Sequence, residues 1–281
     1  MAEIFECGTM RTRDGLNLYF RLNRPLRPKA LVIFLHSLGE HCGRYEDMAE
    51  KLSEAGYGVC RFDCRGHGRS DGPRGDVQDF QDYLRDVDTV VELVRKAFPG
   101  LALFLMGHSM GGLVAAAYAA EYPGKVDGGI TAGAAVRIMP ALEFLKRDAR
   151  HCHKERGDER FSFVIPRQKT RASDMGEESM VLDSVTVRLA GRVWIEGADW
   201  FASHRKDITA PLFILHGESD GLVPPESSKW LYDGIASEDR ALRLYPERGH
   251  SLLEGDAEVM SDIVAWLDAH RREGSSGDVR A

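Results

Sequence analysis

The sequence predicts an α/β fold with a mostly parallel sheet. Short apolar runs that read as strands alternate with longer stretches of helical periodicity, the pattern of parallel strands joined by crossover helices. Several of the runs are almost continuously apolar, as strands buried on both faces require. In chain order, residues 17–22 follow an Asp14-Gly15 turn signal and are expected to close a hairpin with residues 4–10. Further strands are expected at 30–35, 59–63, 102–106, 129–132, 212–215 and 242–245, giving an eight-stranded sheet. Between them, residues 77–98 set Phe80, Leu84, Val87, Val91, Val94 and Phe98 at three- and four-residue steps. Asp76 is placed to cap that helix, and Pro99-Gly100 to stop it. Residues 109–122 are rich in small side chains, which suits a helix pressed against the sheet, and Pro123-Gly124 ends it. A last amphipathic helix spans 256–270 with Val259, Ile263, Trp266 and Leu267 as its stripe.

From 134 to 206 the alternation is lost, although the segment is rich in Phe, Trp, Met and Arg. An insertion at one end of the sheet is the simplest account. The core then comprises residues 1–133 and 207–272, and 273–281 form a disordered tail.

Composition limits the function. The net charge is −7, with 43% hydrophobic and 29% charged residues, which argues against nucleic acid as a partner, since phosphate backbones are bound by clustered Lys and Arg. The longest apolar run, residues 113–120, is too short to span a membrane. The first residues lack the basic and apolar pattern of a secretory signal. Five cysteines without framework spacing suggest reduced thiols and a cytoplasmic location. Oligomeric state is not legible.

The chemistry concentrates in Gly107-His108-Ser109-Met110-Gly111, directly after one strand and directly before a helix. A nucleophilic serine needs its Oγ exposed on a sharp strand-to-helix turn, and glycines two residues either side remove the clashes such a turn creates. The helix N-terminus favours developing negative charge. A serine hydroxyl also needs a base and an orienting acid. Asp220 follows the 212–215 strand and His250 follows the 242–245 strand, both on the side where open α/β sheets carry their sites. Ser109 is therefore expected as nucleophile, His250 as general base and acid, and Asp220 as the group fixing the imidazole tautomer. Glu218 is the rival acid, and His36, His108 and His216 are expected as scaffold. The oxyanion donors would be the Met110 N–H and, from the loop after the 30–35 strand, the Leu38 N–H.

Four blocks carry a family resemblance: residues 36–45 (HSLGEHCGRY), 63–70 (DCRGHGRS), 107–112 (GHSMGG), and 216–220 (HGESD) with Gly249-His250. With them the sequence resembles the α/β-hydrolase superfamily, in its monoacylglycerol lipase and lysophospholipase-like esterase branch. The resemblance implies metal-free, cofactor-free hydrolysis of small acyl esters, with residues 134–206 as a lid over an acyl pocket. It also implies that Glu40 and Arg44 contact the alcohol end of the substrate; a loop-stabilising ion pair is the other reading. Three departures stand out: Ser37 where the family has Gly, Leu253 where animal monoacylglycerol lipases carry a second, glycerol-contacting histidine, and a weak match over the insertion, so that chain-length preference does not transfer.

Residues 63–70 lack the ending of a phosphate loop and are expected to buttress the site mouth. His151-Cys152-His153 lacks a partner pair and reads as surface loop, so no metal is expected. In the lid, residues 146–171 hold nine basic against four acidic residues around Phe161 and Phe163. A solvated lid with these rings turned inward is the simpler reading; weak attachment to an anionic lipid surface is the other. Phe161, Phe163 and Trp194 are expected to line the pocket. Other acyl hydrolases (thioesterase, aromatic-acid esterase, small peptidase) share the same core motifs, and a non-catalytic binding scaffold is a further alternative.

Overall fold

The structure, a computed structural model, describes residues 3–138, 159–162 and 178–271. Eight strands form one sheet in the order β1-β2-β4-β3-β5-β6-β9-β10. The hairpin of β1 (Glu3–Arg11) and β2 (Asn17–Pro25) pairs antiparallel around Gly15, which adopts φ 90°. β3 (Leu31–Leu35), β4 (Gly58–Phe62), β5 (Leu103–His108), β6 (Gly128–Ala132), β9 (Leu212–Gly217) and β10 (Arg240–Tyr245) run parallel, and β2 joins them antiparallel to β4. Every predicted strand is present, with ends shifted by up to three residues.

The two-residue period of a strand divides the core. In β3, Leu31, Ile33 and Leu35 join one hydrophobic cluster, while Val32 and Phe34 join the cluster on the opposite face. The first face is covered by α2 (Phe80–Ala97) and α3 (Met110–Glu121), the second by α1 (Glu46–Glu54) and the C-terminal helix (Ala257–His270). α3 is buried almost throughout, as its run of alanines and glycines permits.

α2 starts later than expected. Its cap is Asp79, which accepts from the Gln81 N–H at 2.9 Å, and not Asp76. Asp76 is engaged elsewhere: it accepts from Thr186 Oγ1 at 2.6 Å and from the Arg188 guanidinium, tying the insertion to the core. The insertion is also more regular than its sequence suggests. A short ribbon pairs β7 (Arg160–Ser162) with β8 (Ser184–Thr186), and a helical stretch follows. It comprises α4 (Val187–Gly191), a π turn (Arg192–Gly197) and α5 (Ala198–His204). Glycines at 191 and 197 mask that helix in the sequence; a Cβ at 197 would lie 2.7 Å from the Phe80 ring, so the residue permits the close crossing. Among the described residues, no helix is long and apolar enough to cross a membrane.

Of the five buried histidines, four have pKa values that burial pushes down: His36 and His41 to about 4, His67 and His108 to about 3. Unfolding returns each to the ordinary value near 6.5, so between pH 6.5 and about 4 the unfolded chain takes up protons that the folded chain refuses. Asp86, raised by burial to about 6 despite Arg65, and Glu40, also raised by burial, act in the opposite sense. Near pH 5 the four rings outnumber the two acids, so unfolding takes up protons on balance and stability falls as the pH is lowered. The guanidinium midpoint measured from pH 7 to 4.5 should fall steeply; a flat profile contradicts the placement of these rings.

Candidate active site

The strand order reverses around β3, whose neighbours are β4 on one side and β5 on the other. Open α/β sheets bind ligands in the crevice at such a point. Leu35 at the end of β3 is in register with Gly107 near the end of β5. The loop carrying Leu38 and the turn carrying Ser109 therefore emerge side by side.

The turn at Ser109 is strained. Ser109 has φ 54° and ψ −113°, and it is one of two non-glycine residues with positive φ among those described. The flanking glycines show why the motif has its spacing. A Cβ at Gly107 would lie 2.1 Å from the Gly111 carbonyl oxygen, and one at Gly111 would lie 2.3 Å from the Leu35 carbonyl oxygen. Helix α3 thus begins hard against the end of β3, bringing Met110 close to the expected oxyanion loop. Leu38 and Met110 are both buried, and neither N–H has a backbone acceptor among the described residues.

Asp220 and His250 come together from β9 and β10. His250 Nδ1 is 2.7 Å from Asp220 Oδ2. Their loops are laced by backbone bonds: the Glu218 N–H donates to the Tyr245 carbonyl and the Ser219 N–H to that of Arg248. Gly217 makes the approach possible, since a Cβ there would lie 2.3 Å from the Arg248 and Gly249 carbonyl oxygens. Glu218, the rival acid, is exposed, whereas Asp220 is buried.

Asp220 is saturated with donors. Oδ1 accepts from the Leu222 and Val223 N–H groups at 2.8 and 2.9 Å, and Oδ2 receives His216 Nε2 at 3.1 Å besides His250. Burial alone would raise this carboxyl, but hydrogen bonds from His216, His250 and the backbone outweigh it and hold the group well below the usual carboxylate range. His216 is in turn fixed by Ser228 Oγ at 2.6 Å and the Val223 carbonyl at 2.9 Å. Its expected scaffold role misses this direct contact with the acid; the signal available was its four-residue spacing from Asp220.

The other histidines knit the surrounding loops. His36 Nε2 accepts from the Cys64 N–H at 2.9 Å, which leaves Nδ1–H to donate to the Ser37 carbonyl at 2.7 Å. Asp63, which heads the second block, accepts from the Cys42 N–H at 2.6 Å and the Arg69 N–H at 2.7 Å. That block is thus a knot against the 36–45 loop, consistent with the buttress expected of it. His108 lies between Tyr45 and the His250 carbonyl, each 2.9 Å away.

Glu40 and Arg44 sit in the same loop and are buried. Arg44 Nε is 3.4 Å from Glu40 Oε1, and its Nη1 reaches both oxygens of Glu178, at 3.1 and 3.2 Å. The Leu182 N–H also donates to the Gly39 carbonyl at 2.8 Å, so the returning limb of the insertion rests on this loop. Trp194 is buried in the core cluster that α2 and α3 line. Phe163, His151-Cys152-His153 and most of the basic stretch 146–171 lie outside the described residues; Phe161 belongs to β7, its side chain outside the description. Among the described residues, no cluster of His, Cys, Asp or Glu could hold a metal ion.

A serine on a strained strand-to-helix turn, set in a parallel sheet with reversed order at its neighbour, defines an α/β-hydrolase. More narrowly, the family model described as serine aminopeptidase, S33 matches residues 26–258, and the chain belongs to that family. The monoacylglycerol lipase of Mycolicibacterium smegmatis is 30% identical over 253 residues, 86% of this chain and 89% of its own. Human monoglyceride lipase is 31% identical over 257 residues, covering 89% of this chain and 85% of its own. The crystal structure of Paleococcus ferrophilus monoacylglycerol lipase superposes with a TM-score of 0.75 at 28% identity, over 90% of this chain and 99% of that one. The chain is a carboxylic ester hydrolase of the branch that includes these lipases.

Proposed function

We propose that the protein hydrolyses monoacylglycerols or closely related small acyl esters through an acyl-Ser109 intermediate. The observation that carries this reading is the Asp220–His250 contact at 2.7 Å, with Ser109 held at φ 54° on its own strained turn at the switch point of the sheet. In the first step Ser109 Oγ attacks the ester carbonyl while His250 Nε2 takes its proton. The oxyanion meets the N–H groups of Leu38 and Met110. Collapse expels the alcohol, which leaves with the proton from His250; water then repeats the attack and releases the fatty acid and Ser109. Asp220 keeps the His250 proton on Nδ1, so Nε2 stays free to act as base.

Two observations favour a second reading, an acyl hydrolase whose leaving group is not glycerol. Leu253 is buried in the core, and Arg44 is engaged by Glu178. A hydrolysis panel of monoacylglycerols, lysophospholipids, p-nitrophenyl esters of graded length and acyl thioesters separates the two. We expect monoacylglycerols to lead in kcat/KM by about tenfold or more; a thioester or aromatic ester in first place overturns the substrate assignment while leaving the nucleophile in place. Thiols at Cys7, Cys42, Cys60 and Cys64 support a reducing, cytoplasmic setting. Surface attachment through 146–171 predicts flotation with anionic liposomes at low salt, and no binding there ends that idea.

A further inference from the structure

Behind His250 lies a buried polar chain that the hydrolytic steps do not use. The Tyr45 hydroxyl is 2.9 Å from His108 Nδ1 and makes a second, shorter hydrogen bond with Glu40 Oε2. The opposite nitrogen of the same ring, His108 Nε2, is 2.9 Å from the backbone carbonyl oxygen of His250. Glu40, Tyr45 and His108 are all more than nine-tenths buried.

Counting hydrogens constrains this chain. A carbonyl oxygen only accepts, so His108 Nε2 carries a hydrogen. Tyr45 has one hydroxyl hydrogen to serve both Glu40 and His108, so it donates to one and accepts from the other. An ionised Glu40 with a neutral His108 would leave two lone pairs facing each other across one of these contacts, a costly arrangement in a buried site. Two arrangements remain. Either Glu40 is a carboxylic acid that donates to Tyr45, which donates to bare Nδ1, or Tyr45 donates to a Glu40 carboxylate and His108 is an imidazolium. Both hold one stored proton.

We propose that this proton resides on Glu40, with His108 neutral, and that the Glu40–Tyr45–His108 chain positions the backbone of the general base. The surroundings choose between the two ends. Glu40 is faced by Arg44 and Tyr45 from its own loop and by Glu254 and His250 from the segment after β10. Arg44 already has a carboxylate partner in Glu178 from the insertion, so its charge does not require an ionised Glu40. His108 is faced by His250, Asp220 and His216. Its ring centroid is 4.8 Å from that of His250. A standing positive charge there would oppose the imidazolium that His250 becomes during turnover. Burial acts the same way at both ends, raising Glu40 and lowering His108 to about 3. The His250 carbonyl is also gripped by the Leu252 N–H at 3.0 Å, so a protonated His108 Nε2 completes a two-point hold on the base.

Nitrogen NMR of the full chain labelled at histidine tests the placement. His108 should appear as the neutral Nε2–H tautomer from pH 8 to 5, and Glu40→Gln should leave that signature unchanged, because an amide N–H replaces the acid O–H. An imidazolium at pH 7 that becomes neutral in Glu40→Gln overturns the proposal. In Tyr45→Phe the ring loses its Nδ1 donor while the His250 carbonyl still holds the hydrogen on Nε2, so we expect a shifted Nδ1 resonance in the same tautomer and a fall in kcat of about tenfold with KM changed less than about twofold. Unchanged kcat despite the Nδ1 shift removes the positioning role. The effect on kcat rests on the hydrolytic reading above, but the protonation state of the ring does not, so the two can fail separately.

Discussion

Ser109→Ala is expected to lower kcat on an ester substrate by about 10⁴-fold or more, with little change in KM. The substitution removes one oxygen from a side chain that is largely buried and leaves the backbone of the turn as it was. The Leu38 and Met110 N–H groups remain, so a residual rate above water is expected from polarisation of the bound ester. Alanine meets the same positive φ as serine, so thermal stability should stay close to that of the parent. A variant that keeps near-normal turnover would show that another group attacks the ester.

Asp220→Asn should cost nearly as much, about 10⁴-fold in kcat, for a different reason. All four positions around the Asp220 carboxylate are taken by donors: two backbone N–H groups at Oδ1, His250 and His216 at Oδ2. An asparagine amide presents one acceptor and one NH₂. If its oxygen keeps the backbone donors, its NH₂ faces His250 Nδ1, which must then give up its hydrogen and move it to Nε2. The ring would be held in the tautomer that cannot deprotonate Ser109. The same NH₂ confronts the His216 N–H, a donor-to-donor contact that should lower stability by about 1–3 kcal/mol. Steady-state kinetics with a denaturant titration separate the two effects; intact kcat in a folded Asp220→Asn protein contradicts the role given to Asp220.

What could be read from the sequence was set by short-range chemistry. Strands β3, β5 and β9 each begin with a run of four or five apolar residues, and the G-x-S-x-G spacing records a clash, 2.1 Å at Gly107, that any side chain would meet. Those signals are local and survive without coordinates. Asp76 and Asp79 both precede Phe80, and spacing alone does not say which caps the helix; the choice falls to Thr186 and Arg188, over a hundred residues away, which claim Asp76. The pairing of Tyr45 with His108, 63 residues apart, depends likewise on which strand ends become neighbours. Helices α1, 187–204 and Glu226–Gly234 are not anticipated: the first and last are only nine residues long, and glycines 191 and 197 interrupt the pattern of the other.

Labelling with a fluorophosphonate probe, followed by peptide mapping, bears most directly on the nucleophile. The geometry predicts a single adduct on the Ser109 peptide, absent in Ser109→Ala and slowed severely in Asp220→Asn. An adduct on a different residue, or none in a protein that still turns over esters, would contradict it.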